Sequence, residues 1–149
     1  MTRTGTPDEA AAAFGEGFNC AQAVFAALAP RFGLDGGTAA RTACAFGGGM
    51  ARSGGACGAV TGALMAIGLA RGGGRPSERD AKEAAYGAAR EFMRRFGERN
   101  GAVACRDLLG CEIGTPEGYE RAKRAGSFDT LCPKLVRDAV EILEELLSE

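Results

Sequence analysis

The sequence predicts an all-α fold, a compact single-domain bundle of five to seven helices around a buried, glycine-rich central helix. No segment shows the sustained alternation of β-branched and polar residues that is typical of a strand. Residues that start helices recur ahead of apolar positions at helical spacing. The run 57–70 carries no charge and is shorter than the roughly 20 residues that cross a bilayer, which predicts a helix buried on all sides. The predicted domain spans residues 1–149.

Three helices are predicted before the central one. Thr6, with Pro7 behind it, has the composition of a helix start, and Asn19 is a good cap for a second helix. Glycine or proline ends each of these helices. The predicted spans are 7 to about 15, 20 to about 29, and 39–46.

The central helix is predicted from Cys57 to Ala70. Gly58, Gly62 and Ala66 are four residues apart, so one face is almost bare backbone and a neighbouring helix can approach closely. Glycine inside a helix costs about 0.5–1 kcal/mol relative to alanine. We therefore expect close helix packing, or access to a site, to offset the cost of these glycines.

The second half of the chain predicts one long amphipathic helix, two short helical segments and an amphipathic C-terminal helix. Ser77 caps the long helix, which ends near Asn100-Gly101. Pro133 at the first helical position makes Cys132 the predicted cap of the last helix. The two short segments are 105–110 and 116–125.

Composition excludes several classes of function. The 149 residues carry a net charge of −1 without a basic, aromatic-rich tract, which argues against nucleic-acid binding. The N-terminus has no apolar run and predicts neither a secretory signal nor membrane association, so we expect a cytoplasmic protein. The chain has no histidine, which excludes Ser-His-Asp hydrolysis and Cys2His2 zinc sites. The glycine tracts at 47–49 and 72–74 lack the nucleotide-binding pattern and are interpreted as turns.

Six cysteines in a reducing compartment point to metal binding or redox chemistry. Four of them stand at or beside a predicted helix N-terminus, where unpaired amides and the helix dipole favour a thiolate. We expect these four sulfur atoms to meet in one pocket: Cys20, Cys57, Cys105 and Cys132. Cys57 is expected to be the most activated, with Arg106 as an electrostatic stabiliser of thiolate. Cys44 is interpreted as a small packing residue, and the role of Cys111 is left open.

Five separated motifs resemble the C_GCAxxG_C_C family, whose members are described as redox-active proteins of bacteria and archaea. The resemblance covers about Phe14 to Leu147, and it implies that the family's four cysteines are Cys20, Cys57, Cys105 and Cys132. A similar domain accompanies split-Soret-type cytochromes, where an iron–sulfur centre has been proposed. The matching segments are Asn19 to Val24, Phe46 to Gly49, Cys57 to Leu69, Cys105 to Gly110, and Cys132.

These observations predict a small cysteine-based redox protein whose four thiols form one thiol/disulfide or iron–sulfur site and serve an electron-transfer partner. Four thiolates also suit a structural zinc site without turnover. A third interpretation is a helical interaction module whose glycine face serves a partner or a second copy of the chain. A homodimer is expected.

Overall fold

The computed structural model describes residues 5–149, which form eight α-helices, two short 3₁₀ helices and no strand. The count exceeds the predicted five to seven because both short segments of the second half fold as helices, α6 and α7. Within the described residues, no helix has the length and apolar character needed to span a membrane. The α-helices are α1 Pro7–Gly15, α2 Cys20–Leu28, α3 Gly36–Ala43, α4 Gly58–Arg71, α5 Arg79–Asn100, α6 Cys105–Leu109, α7 Pro116–Arg124 and α8 Leu131–Ser148; the 3₁₀ helices are Ala29–Phe32 and Cys44–Phe46.

Side-chain caps fix several helix starts where the sequence predicts them. The Thr6 hydroxyl accepts a hydrogen bond from the Glu9 amide at 3.1 Å. At α2, Asn19 and Gln22 form a reciprocal capping box. The prediction for α8 is wrong by two residues, since the helix begins at Leu131 and places Cys132 second rather than at the cap. The amide of Cys132 bonds instead to the carbonyl of Ser127 at 2.9 Å, which continues the preceding turn into the helix.

Helix α4 packs against α2, α5 and α8. Its N-terminal half is buried, with Val60 and Ala63 fully covered. The prediction of burial on all sides is wrong towards the other end, where Leu69 is 39% exposed. Much of the uncharged run is glycine and alanine, which are tolerated at a surface as well as in a core. The absence of charge therefore predicted more burial of this helix than the structure has.

The face of α4 that carries Gly58 and Gly62 packs on α2. A Cβ atom at Gly58 would lie 2.8 Å from the backbone nitrogen of Ala21, and one at Gly62 would lie 2.7 Å from its carbonyl oxygen. The predicted close approach of a neighbouring helix is therefore present, and α2 of the same chain occupies it. The interpretation that this face serves a partner is wrong, because no room is left on it.

Candidate functional site

Four buried cysteines line one cavity of about 510 Å³. They come from four separate segments of the chain, namely the first residue of α2, the residue before α4, the first residue of α6 and the second residue of α8. All are free thiols. The other walls are apolar side chains, the Gly47–Gly48 backbone, the amide side chain of Asn19 and the guanidinium of Arg52. The buried thiols are Cys20, Cys57, Cys105 and Cys132.

A short backbone clamp holds Cys57 beside Cys105. Ala56 and Ala104 form an isolated antiparallel bridge, although no strand surrounds it. The amide of Cys57 donates to the carbonyl of Val103 at 2.8 Å, and the amide of Cys105 donates to the carbonyl of Gly55 at 2.6 Å. The residues just before α4 and α6 are therefore tied together, which places both helix starts on the same cavity.

Close packing of α2 on α4 brings Cys20 to Cys57. The Cβ position of Gly58 lies only 3.0 Å from Cβ of Cys20, so the missing side chain admits the start of α2. The thiols of Cys132 and Cys57 are the neighbours that raise the pKa of Cys20 most. The protonation of Cys20 therefore depends on both of them, although the three thiols come from separate segments of the chain.

The thiol of Cys57 has a lowered pKa, as its position before a helix predicts. The largest cause is the hydrogen bond from Cys20, which stabilises the Cys57 thiolate. Burial opposes the shift, while the backbone amides of Ala59 and Val60 add to it by donating to the sulfur. Among Cys20, Cys57 and Cys105, Cys57 is therefore the thiol whose ionised form is favoured.

The expectation of thiolate character is wrong for Cys20 and Cys105. Hydrogen bonds to Cys132 and Cys57, followed by burial, raise the pKa of Cys20 well above its ordinary value. Burial, followed by the charges of neighbouring cysteines, raises the pKa of Cys105 to about 12. A helix N-terminus cannot offset desolvation and a nearby thiolate together, so Cys20 and Cys105 keep their protons.

Arg106 does not act as the predicted thiolate stabiliser. Its guanidinium lies 3.8 Å from the carboxylate of Glu112, and its side chain is 54% exposed. The Cys105 thiol beside it in sequence has a raised pKa and not a lowered one. The residue following a helix-terminal cysteine points away from the cavity here, a direction that sequence proximity does not reveal.

The two remaining cysteines, Cys44 and Cys111, lie in different places. Cys44 is exposed and lines the cavity, so its interpretation as a small packing residue is wrong. Cys111 is half-buried, and its thiol donates to the carbonyl of Gly118 at 3.4 Å. It packs on a small apolar cluster that contains Cys105. Cys44 therefore joins the cavity wall, whereas Cys111 lies behind it.

Residues 48–52 form a left-handed turn in the cavity wall. Gly48 and Gly49 have positive φ angles, and the same handedness continues through Met50, Ala51 and Arg52 at φ 69°, 52° and 63°. Left-handed backbone costs non-glycine residues roughly 1–2 kcal/mol each. The glycine tract was predicted as a turn, but neither Met50 nor Arg52 carries a sequence signal for this conformation. Strain of this kind is concentrated at functional sites.

Four cysteines are the donor set that zinc and iron–sulfur centres use, so the residue types fit. Within residues 5–149, however, no group of three or more cysteine or carboxylate side chains is positioned to hold a metal ion. The spacing of the ligands therefore does not fit a preformed metal site.

The raised pKa values predict a loss of stability at alkaline pH. Folded Cys105 keeps its proton up to about pH 12, whereas an unfolded cysteine loses it near 9.0. Above pH 9 the unfolded state binds fewer protons, so this thiol's contribution to the free energy of unfolding is present below that value and falls towards pH 12. Urea denaturation under reducing conditions should show a steeper decline for wild type than for Cys105→Ala. Equal slopes in the two proteins would contradict the shift.

An all-α fold with thiols from four segments on one cavity defines a cysteine-cluster protein. The chain belongs to the C_GCAxxG_C_C family, because the family model described as "Putative redox-active protein (C_GCAxxG_C_C)" matches residues 18–146. No curated protein and no solved structure shows significant similarity to the chain. The family thus confirms the resemblance carried by the motifs and assigns the chain to a redox-active cysteine family.

Proposed function

We propose that this protein is a thiol–disulfide oxidoreductase in which Cys57 is the attacking thiolate and Cys20 the resolving thiol. The observation that carries the proposal is that close packing of α2 on α4 gathers these two buried thiols on one cavity, where the pKa of Cys57 is lowered and that of Cys20 is raised. The attacking member lies in a cavity that a small molecule can enter. Cys132 also raises the pKa of Cys20 and so favours its protonated form.

The reaction transfers two electrons from the protein to a disulfide substrate. The Cys57 thiolate attacks one sulfur of the substrate, forming a mixed disulfide and breaking the substrate's S–S bond, and the released thiolate takes a proton from water. Cys20 then gives up its proton and attacks the sulfur of Cys57. The Cys20–Cys57 disulfide forms, and the second substrate thiolate leaves and takes up that proton. A dithiol donor returns the protein to its reduced state by the reverse exchange.

The coupling between the two thiols also orders these steps. Two of the causes that raise the pKa of Cys20 are the hydrogen bond to Cys57 and its negative charge. Both disappear when the sulfur of Cys57 enters a mixed disulfide. The pKa of Cys20 then falls, and the resolving thiol ionises only after the first step has occurred.

The pH dependence of thiol alkylation tests this assignment. Cys57 should react with iodoacetamide with a midpoint below 9.0, because its pKa is lowered from that value. Cys20 and Cys105 should remain protected at the same pH, because their pKa values are raised. Mass spectrometry of peptides from protein alkylated between pH 5 and 10 measures each site. A Cys57 that reacts only above pH 9, or after Cys105, would contradict its role.

A metal-bound form is the second candidate, favoured by the all-cysteine donor set on the cavity. It requires the thiols to move closer together than they are in this structure. Anaerobic purification followed by assays of iron, acid-labile sulfide and zinc tests it directly. If zinc is structural, chelation should also melt the fold, whereas a thiol–disulfide protein is indifferent to a chelator.

Several other expectations stay predictions. They include a homodimer, an electron-transfer partner, the cytoplasm as location, a single domain over residues 1–149, and α4 as its centre. The first four residues of that span lie outside the described part of the chain. Sedimentation at micromolar concentration tests the homodimer, and a purely monomeric profile would contradict it.

A further inference from the structure

Arg52 stands in the cavity wall without an acidic partner. Its guanidinium lies 5.0 Å from the ring centroid of Tyr119, which also lines the cavity. In the described part of the chain, no carboxylate lies within ion-pair distance of it, and the residues that line the cavity include no aspartate or glutamate. A guanidinium placed over an aromatic ring still has N–H donors in its own plane, and these remain available to bind another group.

The left-handed turn fixes where Arg52 stands. The amide of Arg52 donates to the carbonyl of Gly47 at 3.0 Å, and that of Ala51 donates to the carbonyl of Ala45 at 2.8 Å. A Cβ atom at Gly48 would lie 2.8 Å from both Cα and Cγ of Arg52. The chain thus adopts a strained conformation that holds one exposed arginine in the wall of the thiol cavity.

Other walls of the cavity are apolar. Leu108, Leu109 and Phe128 are among them, and Cys57 as a whole residue is only 3% exposed. A disulfide on the surface of a large folded protein cannot easily reach so buried an atom, whereas a small molecule can. A volume of about 510 Å³ is typical of pockets for small ligands.

We propose that the cavity takes a small disulfide carrying a carboxylate, with Arg52 binding the carboxylate while the S–S bond faces Cys57. This deepens the proposed function and rests on it. The apolar walls accept the aliphatic part of the substrate between its charged end and its sulfur atoms. The carboxylate of Glu112, which lies near Cys105, is offset by Arg106 at 3.8 Å and leaves the Arg52 side of the cavity positive.

A series of three disulfides of nearly equal size tests the charge preference. They are 3,3′-dithiodipropionate, which is anionic, 2-hydroxyethyl disulfide, which is neutral, and cystamine, which is cationic. Rates of Cys57 oxidation are divided by the rate of each reagent with N-acetylcysteine, which removes intrinsic reactivity. Wild type should favour the anion over the neutral reagent by about tenfold, the lower end of what a charged hydrogen bond gives.

Arg52→Gln should abolish this preference, and Arg52→Lys should keep part of it because the charge remains. Arg90→Gln is the matched control, since Arg90 is exposed on α5 and does not line the cavity. In wild type alone, added salt should reduce the preference, so the test does not depend on a variant that folds. Equal relative rates for all three reagents in wild type, or an unchanged preference in Arg52→Gln, would overturn the proposal.

Suberate tests carboxylate binding at Arg52 separately from the thiol chemistry. It is the dicarboxylate in which two CH₂ groups replace the sulfur atoms of dithiodipropionate, so it can bind but cannot react. Suberate should raise the Tm of wild type and of Arg90→Gln but not that of Arg52→Gln. Failure of the proposed function would show as suberate binding with no disulfide formed by any reagent. Failure of this inference would show as a suberate effect that is absent or unchanged in Arg52→Gln.

Discussion

Gly58→Ala is expected to destabilise the protein by about 1–3 kcal/mol, the usual cost of adding a methyl group to packed structure. The new Cβ would meet the backbone nitrogen of Ala21 at 2.8 Å and Cβ of Cys20 at 3.0 Å. Since backbone cannot rotate away as a side-chain tip can, α2 and α4 must separate. Urea denaturation of reduced protein measures the change in the free energy of unfolding.

The same substitution should also weaken the coupling between the thiols. Moving Cys20 away from Cys57 removes the hydrogen bond that most lowers the pKa of Cys57, so the alkylation midpoint of Cys57 should rise. Formation of the Cys20–Cys57 disulfide should slow with it. Peptide mass spectrometry after alkylation or oxidation reports both changes.

Two other glycines of α4 are the matched controls for Gly58→Ala. Gly62→Ala meets the carbonyl oxygen of Ala21 at 2.7 Å, so it should destabilise the fold with a smaller effect on the Cys57 midpoint. Nothing lies within 4 Å of a Cβ atom at Gly68, and Gly68→Ala should stabilise by about 0.5–1 kcal/mol through helix propensity. If all three substitutions had the same effect, close packing of α2 on α4 would not explain the glycines.

Cys57→Ser should reduce the oxidation of Cys20 by a disulfide reagent to the background rate. A serine hydroxyl cannot form the mixed disulfide, and the causes that remain in the variant, Cys132 and burial, still raise the pKa of Cys20 and keep that thiol protonated near neutral pH. Intact-protein mass spectrometry during reaction with 2-hydroxyethyl disulfide follows each species. Continued rapid oxidation of Cys20 in this variant would show that another thiol begins the reaction.

Cys20→Ser should give the opposite signature, a mixed disulfide on Cys57 that accumulates because no thiol resolves it. Cys111→Ser is the control, since Cys111 does not line the cavity and a serine there retains a donor for the carbonyl of Gly118. Rapid release of the second substrate thiol from Cys20→Ser would assign the resolving role to a different cysteine, such as Cys132.

Local patterns in the sequence were sufficient for the helical class and for most helix starts. Thr6 and Asn19 cap helices because a side-chain oxygen satisfies an amide nearby in the chain, an interaction that needs no distant partner. The four family cysteines carry their own local signal as well, since each stands within two residues of a helix start. Arg52 and Tyr119 have no comparable signal, although the adjacent Gly47–Gly49 tract marks a place where unusual backbone is cheap.

What the sequence determined by itself is therefore the kind of element and the kind of chemistry: helices, and thiols placed where helices begin. Only the tertiary structure decided that two of the thiols placed at helix starts stay protonated. The pKa of Cys57 falls, as its place before a helix predicts, while those of Cys20 and Cys105 rise, although they too stand at helix starts. The reason is physical: a pKa responds to burial and to charges a few ångströms away in space, and here those charges come from helices far apart in the chain.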